Sequence, residues 1–361
     1  MVKKGTLCFV WVATCKVVAS QGKYVKGMKF SSRDPIICMI SRGVNINVLL
    51  NSIGSQMETP TLPKLITPST TRIGWIGIGI MGSAMVSHIL AAGYSVTVYA
   101  RDLNKSTDLQ TKGARTANTP RELAETSDVV FTMVGNANDV RSLLLGPDGV
   151  LSSLKPGGVT VDMTSSQPAL AREVHAEARR RDCWAVDAPV SGGDAGAREG
   201  TLAIFAGGDS EIVELLCPVM KSMGTVKYMG GAGSGQSCKI GNQICAGSNL
   251  VGLAEGMVFA EKAGLDAKKW LDAVRDGAAG SAVMRLFGEM MAERDYRATG
   301  FAEYIVKDLG MATEDEGGGD VAAMPGTALS KQLFSGMVAN GDGKLGIQGV
   351  VSVIRRLNGL S

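Results

Sequence analysis

The chain has 361 residues, 45% of them hydrophobic and 20% charged, which is enough for two compact domains, and no unbroken apolar run reaches the roughly 18 residues of a membrane-spanning helix. The net charge of +3 conceals an asymmetry: residues 1–71 hold nine Lys/Arg and two acids, a balance of +7, leaving 28 Lys/Arg against 32 acids, or −4, for residues 72–361. A mildly acidic main body has no electrostatic footprint for nucleic acid, and without a spanning run no membrane is expected as a partner either.

The basic, Ser/Thr-rich stretch 1–71 ends in "ETPTLPKLITPSTT" and reads as a targeting leader with a Pro-rich linker. Lys16 interrupts the apolar part of "KKGTLCFVWVATCKVVAS", which disfavours a secretory signal and favours an organelle, mitochondrial first and chloroplast second. Translation from Met57 would instead make a cytosolic protein. Seven scattered cysteines without a CxxC, and only His88 and His175, point to neither a disulfide framework nor a metal site. The cysteines are expected to be mostly small buried hydrophobes.

Next, "RIGWIGIG" reads as a strand, "GIGIMG" as a turn, "SAMVSHILAAG" as a helix stopped at Gly93, and "YSVTVYA" as a second strand. In this βαβ unit Gly77 permits the tight turn, Gly79 admits a pyrophosphate to the backbone, and Gly82 allows close helix packing, with Ile80 and Met81 between them. A phosphate is expected at the helix N-terminus, where free N–H groups favour an anion. The second strand ends Tyr99-Ala100-Arg101-Asp102. Ala100 stands where an acid would hold the ribose of NAD, and Arg101 with Lys105 suits a 2′-phosphate, so NADP is favoured while Asp102 keeps NAD possible.

Further strand-like runs are 128–134, 158–166, 183–193 and 201–208, and "SQPALAREVHAEARRRD" is a clear helix. His88 and His175 are expected to be structural filler. The run "QSCKIGNQICAGSNLVGLAEGMVFAEKAG" reads as one long, mostly apolar helix, on which Lys239, Asn242 and Gln243 share a face at i, i+3 and i+4. Everything from about 237 on reads as helical, with "EDEGGGD" (314–320) as a solvent loop.

In "DAPVSGGDAGAREGTLAIFAGG", "GAGSGQSCKIGNQI" and "GFAEYIVKDLGMA", following the glycine turn, residues 72 to about 358 resemble the β-hydroxyacid dehydrogenase family. The resemblance implies an N-terminal Rossmann doubly wound sheet (72–236), a long interdomain helix and an all-α C-terminal substrate and oligomerisation domain (237–361). It implies an NAD- or NADP-dependent oxidoreductase acting on a short β-hydroxy acid or its semialdehyde, as a homodimer or homotetramer. Ser191, Gly192 and Gly193 would take the substrate carboxylate, in keeping with an anion nest in a glycine turn.

By the same resemblance Lys239 is the catalytic lysine, Asn242 and Gln243 orient the substrate, and Lys307 and Asp308 lie near the nicotinamide. Val134, Gly135, Thr164 and Ser165 would line the cofactor at strand ends. The pair "NQ" after the lysine, where some members carry two asparagines, bears on the substrate subclass. So do the terminal residues "GKLGIQGVVSVIRRLNGLS", where the family often has an acidic, serine-containing segment. The alternative activities are an NADPH-dependent glyoxylate or succinic semialdehyde reductase and, from another class, a non-catalytic dinucleotide-binding scaffold.

Overall fold

The computed structural model describes residues 61–313 and 323–360, so the leader up to residue 60 and the 314–320 loop lie outside the described residues. The described elements all belong to the unit Thr59–Ser361.

Strands β1 (Arg72–Ile76), β2 (Ser95–Tyr99), β3 (Arg115–Thr116), β4 (Val129–Thr132), β5 (Val159–Asp162) and β6 (Trp184–Asp187) are parallel in the order 3-2-1-4-5-6, the doubly wound arrangement. The apolar runs of β1, β4, β5 and β6 are buried on both faces, as parallel strands must be when helices cover them. Trp75, Val98, Phe131 and Val161 point into one core, where the rings of Trp75 and Phe131 stack at 5.4 Å. Ile76, Val130 and Ala185 face the other.

The expected strand over 183–193 is two strands, a correction to the sequence reading. Pro189 has no N–H for a ladder, and beyond it β7 (Val190–Ser191) turns to pair antiparallel with β8 (Leu202–Gly207). Strand β8 also meets β6 antiparallel and carries β9 (Gly224–Gly230) in parallel.

The helices are α1 (Ile80–Ala91), α2 (Thr107–Thr111), α3 (Pro120–Glu125), α4 (Ala137–Leu145), α5 (Pro168–Arg180), α6 (Gly193–Glu199), α7 (Ser210–Met220), the long α8 (Ser234–Lys262), α9 (Ala267–Val274), α10 (Ala282–Ala292), α11 (Ala302–Thr313), α12 (Pro325–Ala339) and α13 (Val350–Leu357). From α8 onward a third core forms around Leu250, Ala254, Met257, Leu309 and Phe334. The fold class is that expected: a Rossmann sheet, a long helix and a helical C-terminal part. No helix among the described residues is long and apolar enough to cross a membrane.

The cysteines correct the sequence reading. Of the four described, Cys183 is buried, Cys217 and Cys238 are half-buried and Cys245 is exposed, because the last lies on the uncovered face of α8. Both histidines are structural, as expected. His88 on α1 has Nε2 at 3.1 and 3.0 Å from the carbonyl oxygens of Ala197 and Arg198, tying α1 to α6, and His175 meets Asp209 at 2.8 Å.

Candidate active site

The site lies at the carboxyl ends of the parallel strands, where open α/β sheets bind ligands. Between β1 and α1, Gly77 has φ +96° and a Cβ there would stand 2.2 Å from the Met133 carbonyl oxygen. A Cβ on Gly82 would lie 2.0 Å from the Gly77 oxygen. The indole of Trp75 donates to that same oxygen at 2.9 Å and holds the turn from below. Gly79, the N-cap of α1, has open space around its Cβ position, and no side chain caps the helix. Ile80 follows, exposed, with half-buried Met81 packed behind it against the core. Free N–H groups facing an open cradle, without an acid in the first turn, fit a pyrophosphate.

Val134 and Gly135 follow β4 beside this turn. The Val134 N–H donates to Thr164 Oγ1 at 3.0 Å, joining the ends of β4 and β5. The loop after β5 is built on Asp162. Its Oδ1 accepts from Thr132 Oγ1 at 2.8 Å and from the Thr164 N–H at 3.0 Å, and its Oδ2 accepts from Ser166 Oγ at 3.3 Å.

Burial raises the Asp162 carboxyl to about 6 against the pull of those donors. A carboxyl whose pKa is higher folded than unfolded weakens the fold as pH rises between the two values, and the cost is complete above the folded one. From pH 5 to pH 7 wild type should therefore lose about 1 kcal/mol of stability relative to Asp162→Asn. Urea unfolding at the two pH values reads this; a difference between the proteins that does not change with pH would contradict it.

On the other side, α8 carries Lys239, which is only 8% exposed. Its ammonium donates to Gln243 Oε1 at 2.9 Å, an oxygen that also accepts from Asn242 Nδ2 at 2.9 Å. Gln243 Nε2 donates to Asp308 Oδ2 at 2.7 Å, and Ser191 Oγ donates to Asn242 Oδ1 at 3.2 Å. Burial pushes the Lys239 pKa down, Asp308 opposes this, and the like charge of Lys307 adds to it. Ser191 leads into Gly192 and Gly193, whose φ of +134° and +63° turn two successive amides at the start of α6.

Ser191, Asn242, Gln243, Lys239 and Asp308 thus form one hydrogen-bonded chain, which continues through Lys307 to the Ser165 loop. Lys307 Nζ donates to the Ser165 carbonyl at 2.7 Å and stands 3.1 Å from Asp308 Oδ1. Arg101 does not join the network: it stands exposed just past the end of β2. Beside it, Asp102 spends its carboxylate capping a short 3-10 turn, with the Asn104 N–H at 3.1 Å.

Sequence reasoning missed three residues of the surrounding frame. Asp162 and Asp187 each close an apolar strand, and a carboxylate ending "VTVD" or "WAVD" was a usable signal. Gln236 gave none.

Residues 72–231 match the family model described as the NAD binding domain of 6-phosphogluconate dehydrogenase. Residues 233–354 match the one described as NAD-binding of NADP-dependent 3-hydroxyisobutyrate dehydrogenase. An Arabidopsis thaliana protein named probable 3-hydroxyisobutyrate dehydrogenase-like 3, mitochondrial, is 83% identical over 307 residues, 85% of this chain and 94% of its own length. The crystal structure of a Salmonella typhimurium 3-hydroxyisobutyrate dehydrogenase superposes with a TM-score of 0.71 at 27% identity, covering 78% of this chain and 99% of that one. That of Psf3 in complex with NADP+ and 2-OPP has a TM-score of 0.72 at 27% identity, with 78% and 99% covered.

Proposed function

Because the chain belongs to the β-hydroxyacid dehydrogenase family, we propose that it interconverts a short β-hydroxy acid and its semialdehyde with NAD or NADP, as a 3-hydroxyisobutyrate dehydrogenase-like enzyme. The observation that carries this reading is Lys239, a buried lysine held by Gln243 in line with Asn242 and Ser191.

Gly77, Gly79, Ile80, Met81 and Gly82 hold the pyrophosphate, and Val134, Gly135, Thr164, Ser165, Lys307 and Asp308 frame the nicotinamide end. When bound, the nicotinamide would supply the hydride donor in reduction or the hydride acceptor in oxidation at the substrate's carbinol carbon. Ser191 and the amides of Gly192 and Gly193 grip the substrate carboxylate, and Asn242 and Gln243 fix its oxygen against Lys239.

Lys239 gives its proton to the carbonyl oxygen in reduction and takes it from the hydroxyl in oxidation. A pKa lowered from the ordinary lysine range serves both directions, because the acid gains strength and the neutral amine is populated. Asp308 holds the Gln243 amide so that its oxygen, not its nitrogen, faces the lysine.

NADP is favoured over NAD because Arg101 is exposed at the end of β2 while Asp102 is occupied with its cap. The same observation supports the second reading, an NADPH-dependent glyoxylate or succinic semialdehyde reductase. Residues 72–236 act as the dinucleotide-binding domain and 237–361 as the substrate and oligomerisation domain of a homodimer or homotetramer. The mitochondrial label of the Arabidopsis relative supports a mitochondrial address carried by 1–71.

Initial rates at 340 nm test the reading. Residues 57–361 are assayed with NADPH and NADH against glyoxylate, succinic semialdehyde and methylmalonate semialdehyde, and with NADP and NAD against 3-hydroxyisobutyrate. Turnover with NADP or NADPH above that with NAD or NADH is expected, and Arg101→Ser should cut the NADP preference about tenfold, the loss of one charge-assisted contact. Cofactor binding without turnover of any pair would instead favour a non-catalytic dinucleotide-binding protein.

A further inference from the structure

Three consecutive residues of the loop after β5 are held by their backbone from the helical part of the chain. Gln236, in the first turn of α8 and fully buried, accepts at Oε1 from the Ser166 N–H at 2.9 Å and donates from Nε2 to the Thr164 carbonyl at 2.7 Å. Between them, Lys307 of α11 holds the Ser165 carbonyl. Gln236 is itself fixed: its N–H and that of Gly233 donate to the two oxygens of Asp187, at 2.9 and 2.8 Å, so that a buried carboxylate at the end of β6 caps α8.

A fully buried carboxamide is costly unless both its donor and its acceptor are used. A leucine or methionine would fill the same volume without that cost. Both ends of Gln236 are spent on the backbone of one loop, 70 and 72 residues away in sequence. Lys239 stands three residues further along the same helix.

We propose that Gln236 is a positioning residue that locks the cofactor loop 164–166 to the helix bearing Lys239, and so sets the distance between nicotinamide and proton donor. The proposal rests on the roles given above to that loop and that lysine. Lys307 acts with Gln236, through Ser165.

Glutamate at 236 separates this role from packing. Only a protonated carboxyl has both the acceptor for Ser166 and the donor for Thr164. Burial raises such a carboxyl toward neutrality, as do the charges of Asp187 beneath it and Asp162 beyond Ser166, against the pull of Lys307 on α11 and Arg172 on α5.

The experiment measures the NADPH Kd by fluorescence, kcat, and the thermal midpoint of wild type, Gln236→Glu and Gln236→Leu at pH 6 and pH 8.5. The leucine variant is expected to bind NADPH about tenfold more weakly and to turn over about tenfold more slowly at both pH values, the loss of about 1.4 kcal/mol of loop contact. The glutamate variant should match leucine at pH 8.5 and return to within about threefold of wild type at pH 6.

A glutamate-to-wild-type ratio of Kd that is equal at the two pH values overturns the proposal. So does a thermal midpoint that recovers at pH 6 while Kd does not, since Gln236 would then serve the fold alone. Wild type that binds NADPH but turns over nothing refutes the dehydrogenase reading, and the Kd ratio still decides the role of Gln236.

Discussion

Replacing Lys239 by alanine should lower kcat by about 10²–10⁴-fold, the range expected when a positioned proton donor is removed, while the NADPH Kd stays within about twofold. The split follows from geometry. Nζ faces Gln243 in the network that runs to Asn242 and Ser191, and none of these partners belongs to the Gly77–Gly82 turn, so its loss leaves the pyrophosphate site untouched. Removing an ammonium held in a buried site also relieves a desolvation cost, and the variant should unfold at a temperature equal to or above that of wild type. Loss of activity with an equal loss of cofactor affinity would assign Lys239 to binding rather than proton transfer. Steady-state kinetics with fluorescence titration of NADPH makes the distinction.

Gly82→Ala should produce the opposite pattern. Its Cβ would meet the Gly77 carbonyl oxygen at 2.0 Å and the Trp75 indole nitrogen at 3.0 Å, and both are fixed, because the indole donates to that oxygen. Helix α1 must then move away from the turn, at the cost of about 1–3 kcal/mol usual for overpacking. The N-terminal amides move with it, so NADPH affinity should fall about tenfold or more, with kcat at saturating cofactor changed far less. A Gly82→Ala protein with wild-type NADPH affinity would mean that the phosphates lie elsewhere.

The nucleotide fold was legible in the sequence because its determinants are local. The glycine turn sits between an apolar strand and a helix within thirty residues, and the hydrophobic runs of β4, β5 and β6 announce strands that bury both faces. Strand β9 was not legible: its residues are largely exposed, and it exists because β8 offers an edge to pair with. The two-residue β3 is too short to carry a period. In the site, Lys239, Asn242 and Gln243 were readable as one helix face. Ser191, Lys307 and Asp308 came only through family resemblance, since their partners lie 51, 142 and 65 residues away. Gln236 escaped both routes, because an isolated glutamine at a helix start has no pattern until the Thr164 and Ser166 backbone is set beside it.

The pH dependence of kcat/KM in the oxidation direction, with 3-hydroxyisobutyrate, NADP and wild-type protein beside Lys239→Ala, tests proton transfer by a buried lysine most directly. Wild type should show one ionisation, with activity rising as the amine loses its proton, at a pH well below the ordinary lysine value of about 10.4, and the alanine variant should lack it. An ionisation at the ordinary lysine value, or one that persists in Lys239→Ala, would contradict the account.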